Sequence, residues 1–344
     1  MDFASDNTAG IATPILEAIG RANTGYALGY GNDDCTKRVE RRFADIFERE
    51  VAVFLVPTGT VANSLALAHL APPWGAVLCH AESHVATDEC GAPEFFGGGI
   101  KLVGLTGDGA KIAPATLQAA LNGQWGGPHH VSPSILSLSQ ATECGTIYRV
   151  AEITELADIA HARGLNVHID GARLGNAVAR MNVSPAEATW KAGVDVLSFG
   201  ATKGGAMGAE AVIFFDPAQG KNMQDRRKRG GALASKHRFI AAQMEAYLEG
   251  DLWLTLARHA NAMADALGAG LTAAGCKPVW PVEANEVFAR LPAAIDKRLK
   301  AAGASYYPWG SSPSNDAGGA LVRLVTSFQT QPEDVDKFLG LVQA

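Results

Sequence analysis

Two short segments of the sequence each place a reactive side chain just after an apolar run. Asp170 follows residues 166–169, and Lys203 comes soon after residues 194–199. Such runs are typical of buried strands in an α/β sheet, and these sheets bind ligands at the carboxyl ends of their strands. A carboxylate and an amine presented together there suit pyridoxal 5′-phosphate (PLP). The lysine can form its Schiff base, and the carboxylate can pair with its pyridinium nitrogen.

Each of these residues also has an ordinary structural interpretation. Asp170 could cap a helix or pair with the nearby Arg173, and this segment alone does not decide between cap, ion pair and cofactor contact. Lys203 could be a solvated loop lysine, but residues 206–209 are small and apolar, which is a poor setting for a solvated turn. The glycines at 204 and 205 would also leave room for a flat ring.

Four further segments carry candidate binding residues. Gly59 and Thr60 begin a predicted helix, where unpaired N–H groups favour a phosphate, although this segment taken alone favours a simple capping role. His84 could stack on a cofactor or act as a base, and His130 lies in a Gly/Pro-rich loop where it could contact substrate. Arg323 stands inside an apolar strand and needs an anion, either a ligand carboxylate or a structural glutamate. None of the histidines has clear metal-site spacing, so we predict no metal.

Composition excludes several other classes of protein. The chain has 344 residues, a net charge of −6 and 47% hydrophobic residues, so it is long enough for a large core and a smaller second domain. The negative charge argues against a nucleic-acid surface. Five cysteines without close pairing indicate reduced thiols in a cytoplasm, and the first twenty residues contain no signal peptide or membrane span.

Alternating apolar runs and helical stretches predict a mostly parallel seven-stranded sheet with helices on both faces. We expect a large domain at residues 1–250 and a small α+β domain at 251–344. The proline-, glycine- and serine-rich stretch 308–319 is predicted to be a loop. The predicted strands of the large domain are residues 51–56, 76–79, 100–104, 134–138, 166–170, 194–199 and 211–215, and those of the small domain are 277–281, 286–291 and 321–325.

The order of these motifs resembles the low-specificity L-threonine aldolase family nearly end to end. The resemblance is carried by Ser5-Asp6-Asn7, Tyr30-Gly31-Asn32-Asp33, Pro57-Thr58-Gly59-Thr60, His84, Asp170-Gly171-Ala172-Arg173, the Lys203 segment and Val322-Arg323-Leu324-Val325-Thr326. The sequence Thr-Lys-Gly-Gly-Ala-Met-Gly-Ala-Glu around Lys203 is similar to a branch that includes phenylserine aldolases. The resemblance implies the fold of the PLP-dependent transferases of fold type I, which is aspartate-aminotransferase-like.

The resemblance also implies roles for individual residues. Lys203 would be the Schiff-base lysine, Asp170 the pyridinium partner, Gly59 and Thr60 the phosphate clamp, and His84 the ring-stacking residue. Ser5, Arg173 and Arg323 would hold the substrate α-carboxylate, with His130 near the side-chain hydroxyl. It further implies a homo-oligomer, a dimer of dimers with its active site at the dimer interface, where Lys236 or Arg238 would reach the neighbouring subunit's phosphate.

The expected reaction is retro-aldol cleavage of threonine, allo-threonine or phenylserine to glycine and an aldehyde. Either His84 or His130, or a water held by them, would remove the β-hydroxyl proton. Another fold type I lyase or an aminotransferase would carry the same cofactor residues and is the nearest alternative. A binding protein without activity fits the retained acid, lysine and arginines poorly. A Rossmann oxidoreductase would need a Gly-x-Gly-x-x-Gly segment after the first strand, and that segment is missing.

Overall fold

The structure is a computed structural model that describes residues 1–310 and 319–344. Its strands are β1 (Ala52–Val56), β2 (Gly75–His80), β3 (Lys101–Leu105), β4 (Ser132–Ser139), β5 (Asn166–Gly171), β6 (Val196–Gly200), β7 (Glu210–Phe214), β8 (Glu286–Leu291), β9 (Tyr307–Pro308) and β10 (Ala320–Val325). Its helices are α1 (Thr13–Ala22), α2 (Asp34–Ile46), α3 (Gly59–Leu70), α4 (His84–Thr87), α5 (Ala92–Phe96), α6 (Pro114–Leu121), α7 (Val150–His161), α8 (Leu174–Met181), α9 (Met223–Arg229), α10 (Arg238–Leu248), α11 (Leu252–Ala273), α12 (Ala293–Ala301) and α13 (Pro332–Gln343).

Strands β1 to β7 form one sheet in the order β1-β7-β6-β5-β4-β2-β3. Strands β3, β2, β4, β5 and β6 are neighbours in this order and run parallel to one another. Strand β7 runs antiparallel to its two neighbours, β6 and β1. Every residue of β6 and β7 is buried, as expected for strands covered on both faces. The predicted seven-stranded, mostly parallel sheet is therefore confirmed.

The register of the parallel strands sets where a ligand can bind. Asp170 near the end of β5 lies opposite Ser139, the last residue of β4, and opposite Ser198 on β6. Lys203 follows the end of β6 by three residues. The carboxyl ends of these strands thus bring Asp170 and the lysine segment to the same edge of the sheet.

A second sheet has the order β8-β10-β9, and it packs with α11, α12 and α13 around a separate hydrophobic core. Phe3 is fully buried in this second core. Its N–H donates to Ser305 at 2.8 Å, and its carbonyl accepts from Val325 at 2.8 Å. The first residues of the chain thus pack with the C-terminal unit, outside the large domain predicted for them, while the boundary at residue 250 stays a prediction.

One strand predicted in the C-terminal unit is wrong. Residues 277–281 form only an isolated bridge between Pro278 and Ala289, because the prolines at 278 and 281 cannot donate hydrogen bonds to a ladder. The short strand β9 takes the third place in the sheet instead. Most of the predicted loop over 308–319 lies outside the described residues. Within the described ranges, none of the helices combines the length and the apolar character needed to cross a membrane.

Candidate active site

A cavity of about 340 Å³ lies at the carboxyl edge of the large sheet. A volume of this size is in the usual range for a small-molecule site. The cavity is lined by every predicted site residue except Ser5 and His130, that is by Gly59, Thr60, His84, Asp170, Arg173, Lys203 and Arg323. The fold therefore brings the predicted acid and the predicted lysine to one cavity.

Asp170 is a buried carboxylate that is held by neutral donors. Its Oδ1 accepts the backbone N–H of Ala172 at 3.1 Å, and its Oδ2 accepts the Asn63 amide at 2.8 Å. No salt bridge to Asp170 is found among the described residues, and the N-cap of α8 is Arg173, so neither the ion-pair nor the helix-cap interpretation accounts for it. A buried carboxylate without a cation favours a positively charged ligand group.

The loop that carries Lys203 is fixed by close packing. A Cβ at Gly204 would lie 2.0 Å from the Tyr247 hydroxyl, and Gly205 has a φ of +120°. The space at Gly204 is therefore taken by Tyr247, which corrects the prediction that these glycines leave room for a ring. On the other side of the loop, the buried Glu210 carboxylate accepts the Ala201 N–H at 3.0 Å.

The N-terminus of α3 faces the cavity at Gly59 and Thr60. The helix cap is Thr58, whose hydroxyl accepts the Val61 N–H at 3.3 Å, so Thr60 is not the cap. A Cβ at Gly59 would meet no atom within 4 Å. The start of a twelve-residue helix thus opens onto free space, with the Thr60 hydroxyl beside it.

His84 is coupled to a buried acid that the sequence did not reveal. Its Nδ1 lies 2.9 Å from Oε1 of Glu89, and the same oxygen accepts the Asn63 amide at 2.8 Å. The hydrogen bond to Glu89 raises the pKa of His84 above its usual value. His84, Glu89 and Asp170 bring one polar atom each within 4.8 Å of one another. Asn63 therefore links the histidine–glutamate pair to Asp170.

Arg173 is fully engaged by two acidic side chains. Its Nε and one terminal nitrogen donate to the Asp6 carboxylate at 2.8 and 3.1 Å, and its other terminal nitrogen lies 3.2 Å from Glu286. Burial alone would raise the pKa of Asp6, but the charges of Arg173 and Lys203 lower it. This cluster ties the N-terminal segment to the end of β5.

Arg323 differs from Arg173 because its charge is not paired. It forms no salt bridge within residues 1–310 and 319–344, and its buried Nε has no hydrogen-bond partner there. Its guanidinium carbon lies 5.2 Å from the centre of the Trp309 ring. Of the two arginines, Arg323 has the capacity left to hold an anionic ligand.

We expect Arg173→Leu to destabilise the fold by about 3–5 kcal/mol, because the substitution leaves two buried carboxylates without their cation. Urea denaturation followed by circular dichroism would measure the loss. Arg323→Leu is the matched control, since this arginine forms no salt bridge with any of the described residues. Equal losses in the two variants would contradict the assignment of Arg173 as an anchor.

Two predicted site residues lie outside the cavity. His130 is exposed and precedes β4. Because β4 is parallel to β5 and Ser139 is the partner of Asp170, His130 lies nine residues before the level of Asp170, at the opposite edge of the sheet and roughly 30 Å away at about 3.3 Å per residue. His130 therefore does not line the cavity of the single chain, and its predicted contact with the substrate stays a prediction. Ser5 caps a short 3₁₀ helix by accepting the Asn7 N–H at 3.1 Å. From this segment Asn7, rather than Ser5, lines the cavity.

Comparison with known proteins agrees with this geometry. Residues 2–294 match the beta-eliminating lyase family. The chain is 39% identical to the low specificity L-threonine aldolase of Pseudomonas sp. (strain NCIMB 10558), an alignment that covers 99% of this chain and 97% of that one. It is 42% identical to the enzyme of the same name from Pseudomonas aeruginosa, over 97% and 94% of the two chains. The structure of Leishmania major threonine aldolase matches with a TM-score of 0.93 and 30% identity, over 99% of this chain and 98% of that one.

The chain belongs to the beta-eliminating lyase family. Membership confirms the family resemblance and the fold class predicted from the sequence. PLP is the cofactor of this family.

The residues of this beta-eliminating lyase fit PLP. The cavity offers an open helix start at α3, and its Asp170 carboxylate and Lys203 amine form no salt bridge with any of the described residues. These three features are the ones that a phosphate, a pyridinium nitrogen and an aldehyde carbon require.

Proposed function

We propose that this beta-eliminating lyase is a low-specificity L-threonine aldolase. It cleaves the Cα–Cβ bond of β-hydroxy-α-amino acids such as L-threonine, L-allo-threonine or L-phenylserine, and it releases glycine and an aldehyde. The observation that carries the proposal is the convergence of Lys203, Asp170 and the unpaired Arg323 on one cavity. The two Pseudomonas relatives bear the name of this activity.

The proposed cofactor contacts follow from the groups that the cavity leaves without partners. Gly59 and Thr60 would hold the phosphate, Asp170 the pyridinium nitrogen and His84 one face of the ring, while Lys203 would bond to the aldehyde carbon. When bound, PLP supplies a conjugated ring that takes up the electron pair of the broken bond. The acid–lysine arrangement therefore serves bond cleavage next to an amino group.

Arg323 is proposed to bind the α-carboxylate of the substrate. A fixed carboxylate turns the Cα–Cβ bond toward the cleavage geometry, so orientation selects which bond breaks. Because Asp6 and Glu286 already neutralise Arg173, we propose that Arg173 positions the N-terminal wall of the cavity rather than contacting substrate directly.

We expect Arg323→Ala to raise KM strongly, since it removes a charge-assisted contact worth about 1.5–3 kcal/mol, or roughly 10- to 100-fold. The visible absorbance of the bound cofactor should be preserved. Steady-state kinetics with L-threonine would test this, with Arg290→Ala on β8 as the control. A KM equal to that of the unmodified protein would exclude Arg323 as the carboxylate ligand.

We also propose a homo-oligomer whose neighbouring subunit borders the cavity. Tyr26, Leu28 and Met207 are large apolar side chains that the single chain leaves exposed, and Met207 lines the cavity itself. Tyr26 and Leu28 border a groove of about 1110 Å³ that also contains Arg238. Any contact of His130 or Lys236 with a cavity would come from a second copy. Light scattering would give the mass of the assembly.

The reaction products test the assignment. Incubation with L-phenylserine should give glycine and benzaldehyde in equal amounts, whereas an aminotransferase would give a keto acid and no aldehyde. The same assay across the three proposed substrates would rank them. We further propose a cytoplasmic location, which the five free thiols support.

A further inference from the structure

Glu143 is a further, partly buried acid of the cavity, and neither PLP nor the substrate carboxylate requires it. It follows β4 and lines the cavity beside His84 and Ser139. Its Oε1 accepts the backbone N–H of His84 at 2.9 Å and the Ser139 hydroxyl at 2.7 Å. Its Oε2 has no solvent contact and no hydrogen-bond partner among the described residues. One oxygen is thus fixed by two donors, and the other keeps an unshared lone pair with no partner among the described residues.

The surroundings of Glu143 affect its pKa in two opposite directions. Burial raises the pKa of Glu143 to about 7, against the two hydrogen bonds that favour its ionised form. The titratable and charged groups that face it are Cys79 on β2, His84 with Glu89 at and after α4, Asp170 and Arg173 from the end of β5, and Cys144 and Tyr148 in its own loop. The one permanent cation among them, Arg173, is committed to Asp6 and Glu286.

His84 differs from Glu143 in what it can do with a proton. Its Nδ1 is bound to Glu89, and the resulting rise in its pKa favours the protonated imidazole. A general base works best when its pKa lies near the working pH and its lone pair is free. Neighbouring groups whose environments differ in this way usually divide the acid and base roles.

We propose that Glu143 is the catalytic base that takes the proton of the substrate's β-hydroxyl group through Oε2. This inference rests on the proposed aldolase function and names the base for it. The O–H proton moves to Glu143, the oxygen forms the aldehyde C=O bond, and the electron pair of the Cα–Cβ bond stays with Cα. A proton then replaces the lost carbon at Cα to give glycine, so that no oxidant, reductant or co-reactant is consumed.

The kinetic test is Glu143→Gln, which keeps the shape of the side chain but cannot accept the proton. For the unmodified protein, kcat should fall as the pH drops below about 7, because the base must be ionised. In the variant we expect kcat to fall about 10²- to 10⁴-fold, with little change in KM and with this acidic limb lost. Glu82→Gln changes an exposed acid of the neighbouring loop and should leave the profile unchanged.

Ser139→Ala gives a graded test that keeps Glu143 in place. The serine hydroxyl donates to the ionised carboxylate, so its removal should move the acidic limb to higher pH while the maximal rate is largely kept. An acidic limb that stays in place in both Ser139→Ala and Glu143→Gln would overturn the proposal.

A second readout needs no turnover. The pKa of Glu143 is about 7 in the folded protein and 4.5 as the usual value, so the stabilisation from its bound proton is complete below about pH 4.5. It is lost as the pH rises through about 7. The melting temperature of Glu143→Gln relative to the unmodified protein should therefore rise across this window. A difference that is independent of pH would overturn the titration on which the base role depends.

The outcomes separate this inference from the proposed function. If the unmodified protein releases glycine and aldehyde while Glu143→Gln keeps its rate and pH profile, the aldolase assignment stands and the role of Glu143 falls. If the unmodified protein releases neither product from any of the three substrates, both proposals fall.

Discussion

Lys203→Ala should abolish the aldolase activity and the visible absorbance of the lysine-bound cofactor. Lys203 is the lysine of the cavity, and the described residues give it no acidic partner that would hold it in a structural role. A retained phosphate and pyridinium site would still permit weak PLP binding in the variant. The absorbance spectrum of the purified protein after dialysis against PLP-free buffer would measure the covalent link.

Lys221→Ala is the matched control, because Lys221 is exposed and lies in the same half of the chain. It should keep both the spectrum and the rate. A Lys203→Ala protein that retains the visible band after dialysis would show that another amine holds the cofactor.

Asp170→Asn should weaken PLP binding by about 3–5 kcal/mol, which is roughly a 10²- to 10⁴-fold rise in the dissociation constant. The reason is the loss of the buried negative charge that would pair with the pyridinium nitrogen, while the asparagine keeps the size of the side chain. Turnover should also fall, because an unprotonated ring is a weaker electron acceptor.

Titration of the apoprotein with PLP, followed by fluorescence quenching, would give the two dissociation constants. Asp158→Asn on the exposed face of α7 provides the control for a lost surface charge. An Asp170→Asn variant that binds PLP as tightly as the control does would mean that the carboxylate serves another group.

The large sheet could be predicted from the sequence because its strands are buried on both faces. Runs such as residues 51–56 and 194–199 are nearly continuous in apolar residues, and no helix period competes with them. The prolines at 278 and 281 carried a contrary signal, since proline cannot donate to a ladder. Giving these prolines more weight would have removed the wrong strand.

Parts of the site could be predicted because Asp170 and Lys203 directly follow strands, where position along the chain fixes position at the sheet edge. The same reasoning applied to His130 would have placed it at the opposite edge, because it precedes a parallel strand. Glu89 and Glu143 gave no such signal. Their roles depend on contacts with Asn63, His84 and Ser139 that arise only when α3, α4 and β4 pack together.

The assignment of Arg173 shows a second limit of sequence reasoning. The family resemblance implied that Arg173 holds the substrate carboxylate, and the structure places Arg173 in the cavity lining. Its acidic partners, however, come from residues 6 and 286, at opposite ends of the chain. Local spacing cannot reveal that an arginine is already neutralised by side chains this distant.

The burial of Phe3 against the C-terminal sheet has a consequence for biosynthesis. Phe3 leaves the ribosome among the first residues, yet its partners Ser305 and Val325 are translated near the end. Contacts between such distant residues form slowly, since a long loop must close before they contribute. Asp6 lies on the same segment, and Glu286, the second acidic partner of Arg173, is translated late, so the cluster of the three side chains is complete only after residue 286 has emerged. We therefore expect the N-terminal segment to dock, and to close its side of the catalytic pocket, only after the last part of the chain has been synthesised.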